Sequence, residues 1–300
     1  MKAVNESHSP NDDALEPAEP LGAAKKSHTV DWWGELKSLS LLLLAVLGFH
    51  SLIAKPFYIP SESMMPILLK GDRLVVSKYP YGWSYVSPSF HPLPFLQGRV
   101  FGRLPKRGDI VIVTPKDTRE DYIKRVIGLP GDLLEIRAGQ IILNGVPVQQ
   151  RTLPPLLVPI DPNAPCPIDQ FPGSRTFGAD GKEYCELPVI EERLPNGRSY
   201  QVIDVGARDT DWRDPIRIPS GHLFLMGDNR DNSADSRVSR ARKGLGGPVP
   251  IESIGGRAEF TTFSVDGTTQ LFNPLSWWTS LRGGRNGMSL RPPRKAAAED

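Results

Sequence analysis

The chain has 300 residues, 39% hydrophobic and 23% charged, with a formal net charge of +2 at pH 7. That length and composition suit one large folded domain or two modest ones, and so small a net charge gives no sign of a nucleic-acid partner. Thirty prolines and 28 glycines favour short strands and loops over a helix bundle.

Residues 1–30 are polar, contain proline and have almost no aromatic side chains, so they read as an unstructured tail. Trp32 and Trp33 follow, a residue type enriched at membrane–water interfaces. From Ser38 to Ala54 there is no charge, and leucines dominate the middle. Such a run sits at the lower limit for a spanning helix, and Lys37 and Lys55 can snorkel to extend it. A single transmembrane helix over residues 36–55 is expected. A cleavable signal peptide would carry its charges at the extreme N-terminus, have a shorter core and be followed closely by Ala-x-Ala. A buried globular helix is the other reading, with His50 as its one strongly polar residue. Lys25, Lys26 and Lys37 on one side balance Lys55, Lys70 and Arg73 on the other, so charge does not orient the span.

Just beyond the run stands Pro60-Ser61-Glu62-Ser63-Met64-Met65-Pro66. In an extended chain, side chains at i and i+2 point the same way, so Ser61 and Ser63 are expected to converge. Pro60 and Pro66 restrict their own φ and bias Ile59 and Met65 away from helix. A serine nucleophile needs such placement, and it also needs a base.

The pattern then turns to β. Leu74–Val76 and Ile110–Val113 are β-branched runs, and Leu133–Ile136 and Ile141–Leu143 flank a hairpin candidate at Ala138-Gly139. Asn144-Gly145 is a strong turn signal. A proline-rich stretch over residues 151–214 reads as a strand-rich inserted subdomain, between catalytic-domain segments 56–150 and 215–272. It holds the two cysteines, Cys166 and Cys185. They could form one disulfide outside the cytoplasm or stay as two thiols inside it. No ligand spacing for zinc is present. Residues 273–300 carry Trp277, Trp278 and five basic residues from Arg282 to Lys295, which suits an anionic lipid surface or a disordered tail equally.

Among five histidines, His8 and His28 lie in the tail, His50 in the apolar run and His91 between prolines, which leaves His222 as the one triad candidate. No G-x-S-x-G elbow accompanies it. Lys124, in Asp121-Tyr122-Ile123-Lys124-Arg125-Val126-Ile127, has apolar neighbours that would lower its pKa by desolvation. A neutral lysine can take a serine proton, although an edge-strand lysine is an equally ordinary use of that residue. Gly227-Asp228-Asn229-Arg230-Asp231-Asn232-Ser233-Ala234-Asp235-Ser236-Arg237 is dense in short polar side chains. Alone it suits a solvated turn, a calcium loop lacking the usual Gly and Glu, or a loop that holds a lysine by hydrogen bonds.

Taken together, these stretches resemble the bacterial type I signal peptidases, membrane-bound serine proteases of the Ser-Lys type. Pro60–Pro66, Gly71-Asp72, Tyr122–Asp132 and Gly227–Arg237 match the family's boxes in order, over about residues 36–150 and 215–265. The resemblance implies Ser63 as nucleophile and Lys124 as general base. It implies an oxyanion hole from Ser61 and the Ser63 N–H, with Ser233 orienting Lys124. Asp228 and Asp235 would brace the site through Arg125 and Arg237. Phe57, Ile59, Pro60, Met64, Tyr122 and Ile123 match positions near pockets that read Ala-x-Ala. The resemblance also implies a mainly β antiparallel catalytic domain, no metal and no cofactor. The catalytic bulk would lie on the periplasmic or extracellular side of the bacterial cytoplasmic membrane, which leaves residues 1–35 cytoplasmic and favours a Cys166–Cys185 disulfide. Expected partners are signal peptides of exported preproteins, membrane lipid and the secretion machinery. The basic segment from Val238 to Gly247 is longer than in many family members. Two rivals are a narrow-purpose Ser-Lys peptidase with one secreted client, and a non-catalytic membrane-anchored β-domain that binds secreted proteins.

Overall fold

The computed structural model describes residues 31–88, 95 and 97–294. The expected tail up to residue 30, with His8, His28, His91 and Lys295, lies outside the described residues. The chain divides into two units, residues 1–42 and 43–300.

Helix α1 (Trp32–Leu52) is long and apolar enough to cross a membrane. Its 21 residues span about 31 Å at 1.5 Å per residue, close to the hydrocarbon thickness of a bilayer. None of them is buried, and Leu41 and Leu44 are 69% and 66% exposed. A helix of this length with exposed leucines is consistent with a membrane anchor. The helix starts early because Asp31 Oδ1 accepts the Gly34 N–H at 3.1 Å, an N-terminal cap. It ends at Leu52 rather than at residue 55. Trp83 Nε1 donates to the Leu52 carbonyl, and Ala54 and Lys55 already belong to a strand.

The strands follow as β1 (Ala54–Tyr58), β2 (Asp72–Ser77), β3 (Ile110–Val113), β4 (Tyr122–Gly128), β5 (Leu133–Arg137), β6 (Gln140–Leu143) and β7 (Val146–Pro147). Then come β8 (Gln149–Pro159), β9 (Arg175–Phe177), β10 (Glu183–Arg193), β11 (Ser199–Ile203), β12 (Arg213–Arg217), β13 (His222–Met226), β14 (Val249–Pro250) and β15 (Ile254–Ser264). The protein is mainly β, and its ladders are antiparallel. A seven-stranded sheet runs β1-β2-β15-β3-β4-β13-β14. Strands β8 to β11 form a second sheet, and β12-β5-β6-β7 a third. Strand β3 is buried at all four positions and β4 at six of seven, as in strands covered on both faces, although β4 buries Lys124 and Arg125 among its apolar side chains. The turn at Asn144-Gly145 has φ of 53° and 82°, the left-handed pair that tight hairpins require.

Cys166 and Cys185 are joined, with Cα atoms 5.6 Å apart, and both lie in the apolar cluster under β8 and β10. The bridge closes a loop of 19 residues, so in the chain-entropy model it contributes about 3 kcal/mol. Reduction of the intact protein in detergent should lower its unfolding free energy by roughly that amount. An unchanged denaturant midpoint with and without reductant would remove the bridge as a stabilising element.

The basic C-terminal segment is not a loose tail between residues 280 and 294. After helix α2 (Pro274–Thr279), Arg282 pairs with Asp161 at 2.7 Å, Arg285 with Asp72, and Arg291 with Glu259 at 2.7 Å. Leu290 is buried in the same core cluster as Ile59 and Met64. These guanidiniums face largely buried carboxylates, which hold the segment against the domain.

Candidate active site

The segment between β1 and β2 carries the two serines. It is not extended, as the i, i+2 reading supposed, but a series of turns closed by Met65 N–H to the Glu62 carbonyl and Leu68 N–H to the Met64 carbonyl. The turn still brings the hydroxyls together, with Ser61 Oγ 3.4 Å from Ser63 Oγ. Ile59, Met64 and Leu68 anchor the segment in the core from both sides of Ser63. Asp72 accepts the Leu69 N–H at 2.9 Å and holds Arg285, whose guanidinium also reaches the Ile67 carbonyl at 2.9 Å. The nucleophile segment is therefore clamped by its own apolar side chains and by the C-terminal segment.

Lys124 sits on β4, between β3 and β13, opposite Val111. It is 3% exposed, and its Nζ donates to Ser63 Oγ and to the Ile123 carbonyl, each at 2.8 Å. Burial pushes its pKa down from 10.5 to about 8, and the carboxylates of Asp235 and Asp228 limit the fall. Side chains alternate along a strand, so Arg125 points away from Lys124. It forms a bidentate pair with Asp228, at 2.7 and 2.5 Å, and stacks over the Tyr200 ring at 4.2 Å. Arg125 and Asp228 lie behind the strand that presents the lysine, not in the cleft.

The loop after β13 closes the other side. Asn229 N–H donates to the Ser63 carbonyl at 3.1 Å, and Asn229 Nδ2 to the Glu62 carbonyl at 3.3 Å. Sequence reasoning did not single out Asn229, because its role depends on a contact 166 positions away. Arg237 grips Asp235 through Nε and Nη2, at 3.0 and 2.9 Å, while Asp235 accepts the Gly227 N–H at 2.9 Å. Burial alone would raise the pKa of Asp235, but the Arg237 guanidinium and these N–H donors hold it below the usual carboxylate range. Ser233 departs from expectation. It is not a partner of Lys124; its Oγ is buried with no hydrogen bond among the described residues, against Gly227, where an added Cβ would collide with it. The lysine ammonium turns instead to Ser63 and to its own strand.

Ser61, Ser63 and Lys124 open on a cavity of about 540 Å³ whose walls include Pro60, Tyr122, Ile123 and Ala234. Phe57, Ile59 and Met64, expected near the same pockets, do not line it. Ile59 and Met64 are 1% and 0% exposed and belong to the core beneath, with Phe57 packed against them. Hydrophobicity in the sequence did not separate wall from foundation. Lys70 and Lys243 border the mouth, a charge feature that motif reading missed. His222 does not line the cavity; its Nδ1 contacts the Ser220 carbonyl at the far end of β13, beside β14.

Residues 32–263 match the family model described as signal peptidase, peptidase S26. The chain belongs to the S26 signal peptidase family. Signal peptidase I of Rickettsia typhi is 32% identical over 81% of this chain and 82% of its own. Signal peptidase I of Rickettsia prowazekii is 33% identical over the same shares. A solved signal peptidase I from Enterococcus faecalis V583 is 20% identical, covers 52% of this chain and 97% of its own, and superposes with a TM-score of 0.27. That last likeness is too slight to add to the assignment. The S26 match supports a signal peptidase, a serine endopeptidase, over the non-catalytic binding-domain reading.

Proposed function

We propose that this S26 peptidase removes signal peptides from exported preproteins, cutting after a small-x-small pattern, with Ser63 as nucleophile and Lys124 as general base. The observation that carries the reading is the 2.8 Å contact between Lys124 Nζ and Ser63 Oγ at the wall of an open cleft. Neutral Lys124 takes the Ser63 proton as Oγ bonds to the scissile carbonyl carbon. The oxyanion that forms is held by the Ser61 hydroxyl and the Ser63 N–H, which has no intramolecular hydrogen bond among the described residues. As the C–N bond breaks, the lysine ammonium protonates the leaving amine. Lys124 then deprotonates a water, which hydrolyses the acyl-serine ester and regenerates the hydroxyl. Arg125–Asp228 and Arg237–Asp235 set the field at the lysine and the position of the loop behind Ser63. The test is incubation of the purified protein with a preprotein and sequencing of the new N-terminus. A cut elsewhere than after small-x-small, or in one client alone among several preproteins, would favour the narrow-purpose peptidase.

On the same reading, α1 anchors the chain as a single span, with the bulk outside the cytoplasm. Protease added to spheroplasts should then degrade the region beyond residue 60. Full protection of that region would reverse the orientation.

A further inference from the structure

We infer that Asp204, Asp211 and Asp231 form a calcium-binding site behind the catalytic loop. The three carboxylates come from separate places in the fold. Asp204 follows β11, Asp211 lies in the short turn before β12, and Asp231 belongs to the loop that also carries Ser233. Each offers an oxygen, and these oxygens all lie within 4.8 Å of one another. Ligands on opposite sides of a calcium ion, each at 2.3–2.6 Å, stand at most about 4.6–5.2 Å apart. An all-carboxylate set without histidine or cysteine suits a hard cation rather than zinc.

A second observation points to a ligand. Asp211 is only 4% exposed; its Oδ2 accepts the Arg208 N–H at 2.7 Å, and its Oδ1 has no hydrogen-bond partner among the described residues. Asp231 repeats the pattern: Oδ2 accepts the Val205 and Gly206 N–H groups at 2.7 and 3.1 Å, and Oδ1 is buried without a partner among the described residues. A buried anionic oxygen left unpaired is costly, and a cation between the carboxylates removes that cost. Gly139 completes the enclosure, since a Cβ there would stand 2.8 Å from Asp204 Oδ2.

The surrounding charge agrees. Arg230 and Arg237 are the cations that act on Asp204, but Arg230 is engaged with Glu192 and Arg237 with Asp235. Bound calcium would tie the segment after β11 to the loop whose Asn229 N–H holds the Ser63 carbonyl. Three carboxylates with water completing the shell suit a weak site, with Kd of about 10⁻⁴–10⁻³ M.

The experiment uses the full-length protein in detergent, stripped with EDTA and dialysed. Calcium chloride is titrated calorimetrically, with magnesium chloride in parallel, and the Tm is followed under the same conditions. Calcium should give a saturable heat and a rise in Tm. Asp204→Asn, at a half-buried position of the cluster, should weaken calcium binding tenfold or more while its metal-free Tm equals or exceeds that of the wild type. Asp211→Asn should lose the calcium response as well; if it fails to fold, Asp204→Asn alone decides. No heat or Tm rise at millimolar calcium overturns the site, as does an undiminished response in Asp204→Asn. An equal response to magnesium overturns the assignment to calcium.

Discussion

Ser63→Ala should reduce preprotein cleavage by roughly a millionfold, to the level that binding and the remaining oxyanion donors support. The variant should fold normally. Among the described residues the hydrogen-bond partners of Ser63 Oγ are Lys124 Nζ and Ser61 Oγ, whereas the segment is held by backbone hydrogen bonds and by Ile59, Met64 and Leu68 in the core. Ser61→Ala separates the two hydroxyls. It removes one oxyanion donor and leaves the Ser63 N–H, so the expected loss in kcat is about 10²–10³-fold. Both variants are to be assayed on the same preprotein, with Tm as the folding control. Substantial turnover by a folded Ser63→Ala protein would sink the serine mechanism. Equal losses in the two variants would put Ser61 in the nucleophile's role instead.

Lys124→Arg should be as inactive as Lys124→Ala, although it keeps charge and approximate length. A general base must be neutral when the substrate arrives, and arginine stays protonated in proteins. Wild-type Lys124, with a pKa of about 8, should make activity rise as pH increases through that value and then level or fall as other groups titrate. Stability carries the same signature. The unfolded lysine titrates near 10.5 and the folded one near 8, so between those values the unfolded chain binds more protons and folding stability rises with pH. Below about 8 the ammonium is buried at a constant cost. Lys124→Met removes that cost and should be inactive yet at least as stable as the wild type at pH 7. Cleavage rates from neutral to alkaline pH and Tm for the three variants test the whole set. Near-wild-type activity in Lys124→Arg would discard Lys124 as the base and leave a purely electrostatic role.

The amino-acid sequence by itself determined the elements whose signals are local. The uncharged run from Ser38 to Ala54 marks an apolar helix because its length and composition alone meet the demand of a bilayer. The β-branched runs at Leu74–Val76 and Ile110–Val113 mark strands, and Asn144-Gly145 marks a turn, because backbone preference and side-chain period are properties of neighbours. Four ordered motifs sufficed to recognise the S26 resemblance. Only the tertiary structure decided the rest. Ser61 and Ser63 converge through a turn and not through an extended strand, because the anchors Ile59 and Met64 are drawn into a core built from β2, β3 and β15. Ser233 faces Gly227 rather than Lys124, and Asn229 reaches the Ser63 carbonyl. The C-terminal arginines meet Asp161, Asp72 and Glu259, and three aspartates from separate segments gather beside Gly139. Each of these pairs charged or polar groups that packing brings together from distant positions, where burial strengthens their interaction and penalises any group left unpaired. That energy depends on the distance between side chains, which one-dimensional spacing does not contain.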